Sequence, residues 1–300
     1  MIVVVGESLV DVGAAESVGG SPLNVAVALG RLEVPTALIT ELGNVARAAT
    51  VRAHLAENGV ELLESETGRP TPTARVRYVD GEPTYDLDLR WDLPGQQLPD
   101  CDALHVGSLG SVLEPGQASV LDLVEQAWAR DVFVSYDPNV REPLPGGHDQ
   151  AWREVESLAD RSHLVKLSDQ DIAALHPGAD PDDIARSLLT GDRTELVIRT
   201  LGADGAIGYV ETGDGVLVVE VPGVVVEVAD TVGAGDAFTA AVLAVLLETG
   251  SFGDFGAGIP REQGRLRLLL EAAVEVAALS CERPGAAAPF RSLLRPGWPG

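Results

Sequence analysis

The carboxylate of this sequence best placed to take a proton is Asp236. It sits in the run Asp230-Thr231-Val232-Gly233-Ala234-Gly235-Asp236-Ala237-Phe238. A turn with two glycines, followed by residues 237–247 that are apolar on nearly every face, reads as a loop opening into a buried helix. Such a helix start presents free backbone N–H groups at the positive end of the helix dipole, which suits phosphate or another developing anion. A carboxylate there serves equally well as a helix cap or as a general base. Two familiar phosphate loops do not apply. Phe238 stands where G-x-G-x-x-G needs its third glycine, and Lys166, the single lysine, belongs to no G-x-x-x-x-G-K-[ST] run.

Three further clusters have chemistry to offer. Asp137-Pro138-Asn139-Val140-Arg141 follows an apolar run, and the carboxyl end of a strand is where α/β proteins place ligands. Arg141 is able to form a fork to a substrate anion or to steady a transferring phosphoryl group; a proline turn pinned by Asn139 is the competing reading. Gly19-Gly20-Ser21-Pro22-Leu23-Asn24 joins a close-approach glycine pair to an amide at a helix start. In Lys166-Leu167-Ser168-Asp169-Gln170-Asp171, the carboxylates also suit the first turn of a helix.

The elements that must position these residues follow from periodicity. Residues 2–5, 132–136, 164–167 and 196–200 read as short buried strands, and 25–32, 118–130 and 266–279 as helices. Residues 104–109 read as a strand meeting a loop. Residues 207–210 and 216–221 read as strands, and so does the valine-rich run 224–228. Residues 73–79 and 84–90 flank Asp80-Gly81-Glu82-Pro83 as a hairpin. The fold class is α/β.

Three hundred residues at 45% hydrophobic content make one large α/β domain, 1–300. No apolar run approaches the roughly 20 residues a membrane span needs, and the start carries no basic leader, so a cytoplasmic protein is expected. A net charge of −25 argues against nucleic-acid partners. Cys101 and Cys281 lack metal or redox partners, and the five histidines show no ligand spacing.

The words D-T-V-G-A-G-D-A-F resemble the C-terminal signature of the ribokinase-like (PfkB) carbohydrate kinases. G-E-S-L-V-D with G-G-S-P-L-N-V-A and D-P-N-x-R resemble the sugar-side motifs of the fructokinase-like branch, and the match is collinear over nearly the whole chain. The chain departs from the family at Gly43-Asn44-Val45-Ala46-Arg47-Ala48, where relatives read G-D-D-x-F-G, and in a short loop between Asp11 and Gly19. The resemblance implies a three-layer sandwich with a mostly parallel central sheet and a small β lid from about 11–20 and 72–92. It implies transfer of the γ-phosphoryl group of ATP, with Mg²⁺ and with K⁺ as a further candidate ion, to a sugar hydroxyl. Fructose is the expected sugar, with 2-keto-3-deoxygluconate or a non-catalytic binding relative as the other readings.

By the same resemblance Asp236 is the base, and Gly233, Ala234 and Gly235 with Arg141 stabilise the phosphoryl group. Asp11, Gly19, Gly20, Asn24, Asp137, Asn139 and Arg141 hold the sugar. Lys166, Ser168, Thr200, Gly202, Gly205, Thr231, Gly233, Gly235 and Gly285 hold the nucleotide, and Asp171 acts on the metal in place of the glutamate of N-x-x-E. A homodimer through the lid is the expected partner; nucleic acid and membrane are not.

Overall fold

The structure is a computed structural model that describes residues 1–12, 16–43, 46–66, 68–79, 82–88, 90–140, 144, 146–189, 193–252 and 258–299. In chain order the first strands and helices are β1 (Ile2–Val5), β2 (Leu9–Val12), β3 (Glu16–Gly19), α1 (Ser21–Arg31), β4 (Thr36–Leu42), α2 (Ala46–Glu57), β5 (Val60–Glu66), β6 (Thr73–Val79) and β7 (Glu82–Asp88). The middle of the chain forms β8 (Ala103–Gly107), α3 (Gly116–Trp128), β9 (Phe133–Asp137), α4 (His148–Ala159), β10 (Leu164–Ser168), α5 (Asp169–Leu175) and α6 (Pro181–Ser187). The last part forms β11 (Leu196–Thr200), β12 (Gly205–Thr212), β13 (Gly215–Pro222), α7 (Ala234–Glu248) and α8 (Gln263–Cys281).

Nine strands make one sheet in the order β13-β12-β11-β10-β9-β8-β1-β4-β5. From β11 to β5 the pairs are parallel; β12 and β13 add an antiparallel edge. Strand β1 explains the layering. Ile2 and Val4 belong to one apolar cluster, with α1, α7 and α8, whereas Val3 and Val5 belong to the other, with α3 and α4. Alternate side chains point to opposite faces, so an all-apolar strand is one covered by helices on both sides. Helix α7 is buried from Asp236 to Leu246, which is why its sequence shows no polar face.

A second, four-stranded sheet runs β3-β2-β6-β7. Strands β6 and β7 pair antiparallel from Thr73↔Asp88 to Val79↔Glu82. The hairpin expected there forms, and β2 joins it in parallel.

One strand expectation fails. Residues 224–228 form no strand, and Val224, Val225 and Val228 are exposed, Val225 to 99%. Pro222 and Gly223 end β13, and Gly223 packs directly on Ala203. The valines that follow therefore run outside the sheet, where β propensity has no ladder to join. The departure from the family pattern at Gly43 falls beside α2; Asn44 and Val45 lie outside the described residues. Gly43 is needed for close approach, since a Cβ there would collide with the backbone of Arg69 and Thr71. Arg47 instead makes an exposed fork to Glu16 on β3, at 2.6 and 3.0 Å.

Candidate active site

The parallel strands deliver their carboxyl ends to one edge of the sheet, where β1, β9 and β10 stop beside the start of α7. Gly233 caps that helix with φ 77°, a left-handed conformation that glycine adopts without strain. Its lack of a side chain also admits Ala286, which a Cβ would meet at 2.6 Å. Asp230 fixes the turn: its two carboxylate oxygens accept the N–H groups of Val232 at 3.0 Å and Gly285 at 2.9 Å. The N–H groups of Gly235 and Asp236, in the first helical turn, have no protein acceptor among the described residues and are available to an anion.

Asp236 is buried, and its carboxylate does not cap its own helix. Oδ1 accepts from the Ser21 hydroxyl at 2.6 Å and Oδ2 from the Asn24 amide at 2.8 Å. Both donors stand on the first turn of α1. Burial pushes the Asp236 carboxyl above the usual carboxylate range, the two donors oppose the rise, and nearby Asp137 adds to it. A buried, raised, oriented carboxylate is what proton abstraction from a hydroxyl at neutral pH requires.

Beneath the helix start lies a buried ion pair. Lys166 Nζ donates to Asp137 Oδ2 at 2.9 Å, the same oxygen accepts the Thr239 hydroxyl at 3.1 Å, and Oδ1 takes the N–H of Asn139 at 3.2 Å. Burial works against the Lys166 charge, but Asp137 and Asp171 outweigh it and the ammonium stays protonated with a raised pKa. A Cβ on Gly235 would lie 3.3 Å from Lys166 Nζ, so the one lysine of the chain is aimed at the open amides. Asn139 itself sits at φ 40°, left-handed for a non-glycine residue.

Asp171 serves as a strut. Its Oδ2 accepts the N–H and hydroxyl of Ser168, closing a capping box on α5, and its Oδ1 accepts the N–H of Val140 at 2.7 Å. Thus β10 and the D-P-N-V loop are joined through one carboxylate. Arg141 lies outside the described residues. On the other side Asp11 is half-buried on β2 and its carboxylate lies against Gly19; burial raises its pKa. Gly20, at φ 108°, leads into α1, and a Cβ on it would meet the Glu7 carbonyl at 2.6 Å. Thr200 ends β11 directly opposite Ser168 of β10, with Gly202 and Gly205 in the turn that leads into β12, while Thr231 accepts the Ala234 N–H through its carbonyl at 3.3 Å.

The structure therefore brings together Asn24, Asp137, Asn139, Lys166, Asp171, Gly233, Gly235 and Asp236. Asn24 directs its amide nitrogen to Asp236 and Asp137 pairs with Lys166, contacts that stand beside the sugar-binding roles the resemblance implies for both. Ser21 and Thr239 were missed. Ser21 was visible only as the third residue of G-G-S-P, and Thr239 as the position one helical turn after Asp236.

An open helix start, a buried lysine under it and an oriented carboxylate on a doubly covered parallel sheet define a phosphotransferase of α/β type. Residues 8–293 match the pfkB family carbohydrate kinases. This chain belongs to that family and has its ribokinase-like fold. It is 33% identical over 266 residues to a fructokinase of Rhizobium leguminosarum bv. trifolii, spanning 82% of this chain and 79% of that protein. It is 30% identical over 294 residues to a probable fructokinase-4 of Arabidopsis thaliana, spanning 94% and 87%. The crystal structure of a fructokinase from Xylella fastidiosa with bound ATP superposes with a TM-score of 0.82 at 25% identity, over 97% of this chain and 95% of that one. Among the described residues no helix is long and apolar enough to cross a membrane.

Proposed function

We propose that this carbohydrate kinase is a fructokinase that transfers the γ-phosphoryl group of ATP to a hydroxyl of fructose. The observation that carries the reading is the Asp236 carboxylate, held by Ser21 and Asn24 in the first turn of a helix whose open amides adjoin Lys166. Asp236 takes the hydroxyl proton as the sugar oxygen attacks the γ-phosphorus. The new P–O bond forms as the bond to the β-phosphate bridging oxygen breaks, and that electron pair leaves with ADP. The amides of Gly235 and Asp236 and the Lys166 ammonium stabilise the charge on the phosphoryl oxygens. The similarity to relatives named fructokinase, one of them solved with ATP, supports the acceptor and the donor.

Magnesium fits this reading as a companion of the nucleotide. Among the described residues no group of three or more His, Cys, Asp or Glu side chains converges on a metal position, and three donors already occupy the Asp171 carboxylate. An ion that arrives on phosphates and keeps its waters would need no such cluster, and Asp171 would act on it by holding the residue 137–140 loop in place. When bound, Mg²⁺ neutralises phosphate charge. A cytoplasmic setting and pairing of two copies through the small sheet belong to the same reading, and sedimentation of the purified chain tests the pairing.

The deciding experiment measures ADP release with fructose, 2-keto-3-deoxygluconate, glucose and ribose in the presence of Mg²⁺ and K⁺. Fructose is expected to show the highest kcat/KM. Binding of sugars without ADP release from any of them would overturn the kinase reading, and preference for the ketodeoxy acid would reassign the acceptor.

A further inference from the structure

Glu7 is a buried carboxyl group that the transfer chemistry above does not use. It follows β1 at the carboxyl edge of the large sheet and is 1% exposed. Its Oε2 accepts the N–H of Gly110 at 2.7 Å, and the Ser108 hydroxyl faces the same carboxyl group. The carbonyl of Gly110 in turn accepts the indole N–H of buried Trp91 at 2.9 Å. Gly110 is thus held at both ends, and it is packed without slack: a Cβ there would lie 2.9 Å from Gly6 Cα and 3.0 Å from Glu7 Oε2.

The turn so held is strained. Ser108 has φ 55° and ψ −155°, a region that side-chain-bearing residues avoid, and its N–H donates to the carbonyl of Asp137 at 3.0 Å. Strain of this kind persists only where the surroundings over-determine it, and here Glu7, Trp91 and Asp137 do so. The backbone of Glu7 also supports Gly20, directly ahead of the Ser21 and Asn24 donors to Asp236.

We propose that Glu7 is a positioning residue for the sugar acceptor: by holding Gly110 it keeps the strained turn of residues 108–111 against Asp137, as the wall of the acceptor cleft that adjoins the start of α1. Among the described residues, the ionisable group facing Glu7 is Asp236 on α7. The 108–111 turn offers it a hydroxyl and an amide. Burial pushes the Glu7 carboxyl up to about 7; the Gly110 and Ser108 donors oppose this and Asp236 adds to it. The group therefore changes charge in the neutral range. The ionised form is the stronger acceptor, so the turn is held more firmly, and the acceptor KM falls, as pH rises from 6 to 8.

The inference rests on the fructokinase reading for its kinetics, and one arm of the test is independent of it. Wild type, Glu7→Gln and Glu7→Leu are compared for fructose KM, ATP KM and kcat at pH 6, 7 and 8, and for hydrogen exchange in the peptide spanning 108–111. Glu7→Leu is expected to raise the fructose KM about tenfold, with ATP KM and kcat little moved, because it leaves the Gly110 N–H buried and unpaired. Glu7→Gln, whose amide carbonyl still accepts that N–H, recovers most of the loss, and its fructose KM no longer varies with pH. Exchange at 108–111 accelerates in Glu7→Leu and not in Glu7→Gln.

Wild-type exchange in Glu7→Leu overturns the proposal, as does a parallel rise of both KM values with a lowered Tm. If Glu7→Leu does not fold, a fructose KM in Glu7→Gln that keeps the wild-type pH dependence overturns it. If no sugar is turned over, the function proposed above fails, and the exchange result alone decides whether Glu7 holds the turn.

Discussion

Lys166 and Asp137 form an ion pair of 2.9 Å with both side chains almost wholly enclosed, directly below the open end of α7. An enclosed pair of charges is costly to break, because the surviving partner is left without solvent or counter-charge. Lys166→Met is expected to destabilise the fold by about 3–5 kcal/mol, read from urea denaturation. Lys166→Arg keeps the charge but cannot place it as a point beneath Gly235, so it folds yet loses kcat.

Replacing Asp236 by Asn removes the proposed proton acceptor and keeps the shape. We expect kcat to fall about 10²–10⁴-fold while the Kd for ATP, measured by calorimetry, stays near the wild-type value. A variant that keeps most of its kcat would assign the base elsewhere.

Ser21→Ala tests the orientation of that base and its acidity together. Burial holds Asp236 above the usual carboxylate range and the Ser21 donor pulls it back, so loss of the donor raises it further. Activity requires the ionised form. The acid limb of the kcat profile is therefore expected to move to higher pH in Ser21→Ala, with kcat reduced at every pH; an unmoved limb would separate Ser21 from the proton transfer.

Gly235→Ala should divide stability from activity. Gly235 lies in the first turn of α7, where alanine is the better helix former by about 0.5–1 kcal/mol. The added Cβ falls 3.3 Å from Lys166 Nζ and narrows the space above the open amides. The expected outcome is an unchanged or higher Tm with a raised KM for ATP. A raised KM accompanied by a falling Tm would point instead to disruption of the helix.

Much of this organisation was legible in the chain because it depends on local pattern. The run 2–5 is apolar on both faces and the run 237–247 on nearly every face, as elements covered on all sides require, and the structure buries residues 2–5 and 237–246. The exposed valines after Pro222 show where local pattern misleads, since β-branched residues without a neighbouring strand form no ladder. Asp236 as cap or base was undecidable from its own segment, because the deciding donors stand on α1. Asn24 and Asp137 were recognised as site residues, yet their partners, Asp236 and Lys166, lie in distant segments that only the fold brings together. Glu7 stands in the G-E-S-L-V-D motif yet received no role, because its partner Gly110 lies in a distant segment.

The bonds from Ser21 and Asn24 to Asp236 join positions 215 and 212 residues apart in sequence. During synthesis the donors leave the ribosome long before the carboxylate that they orient. A nascent chain that carries only β1 and α1 holds Ser21 and Asn24 without the acceptor that they meet in the fold. Under the function proposed above, no proton acceptor is assembled until α7 has docked on α1, so catalytic competence would mark a late stage of folding.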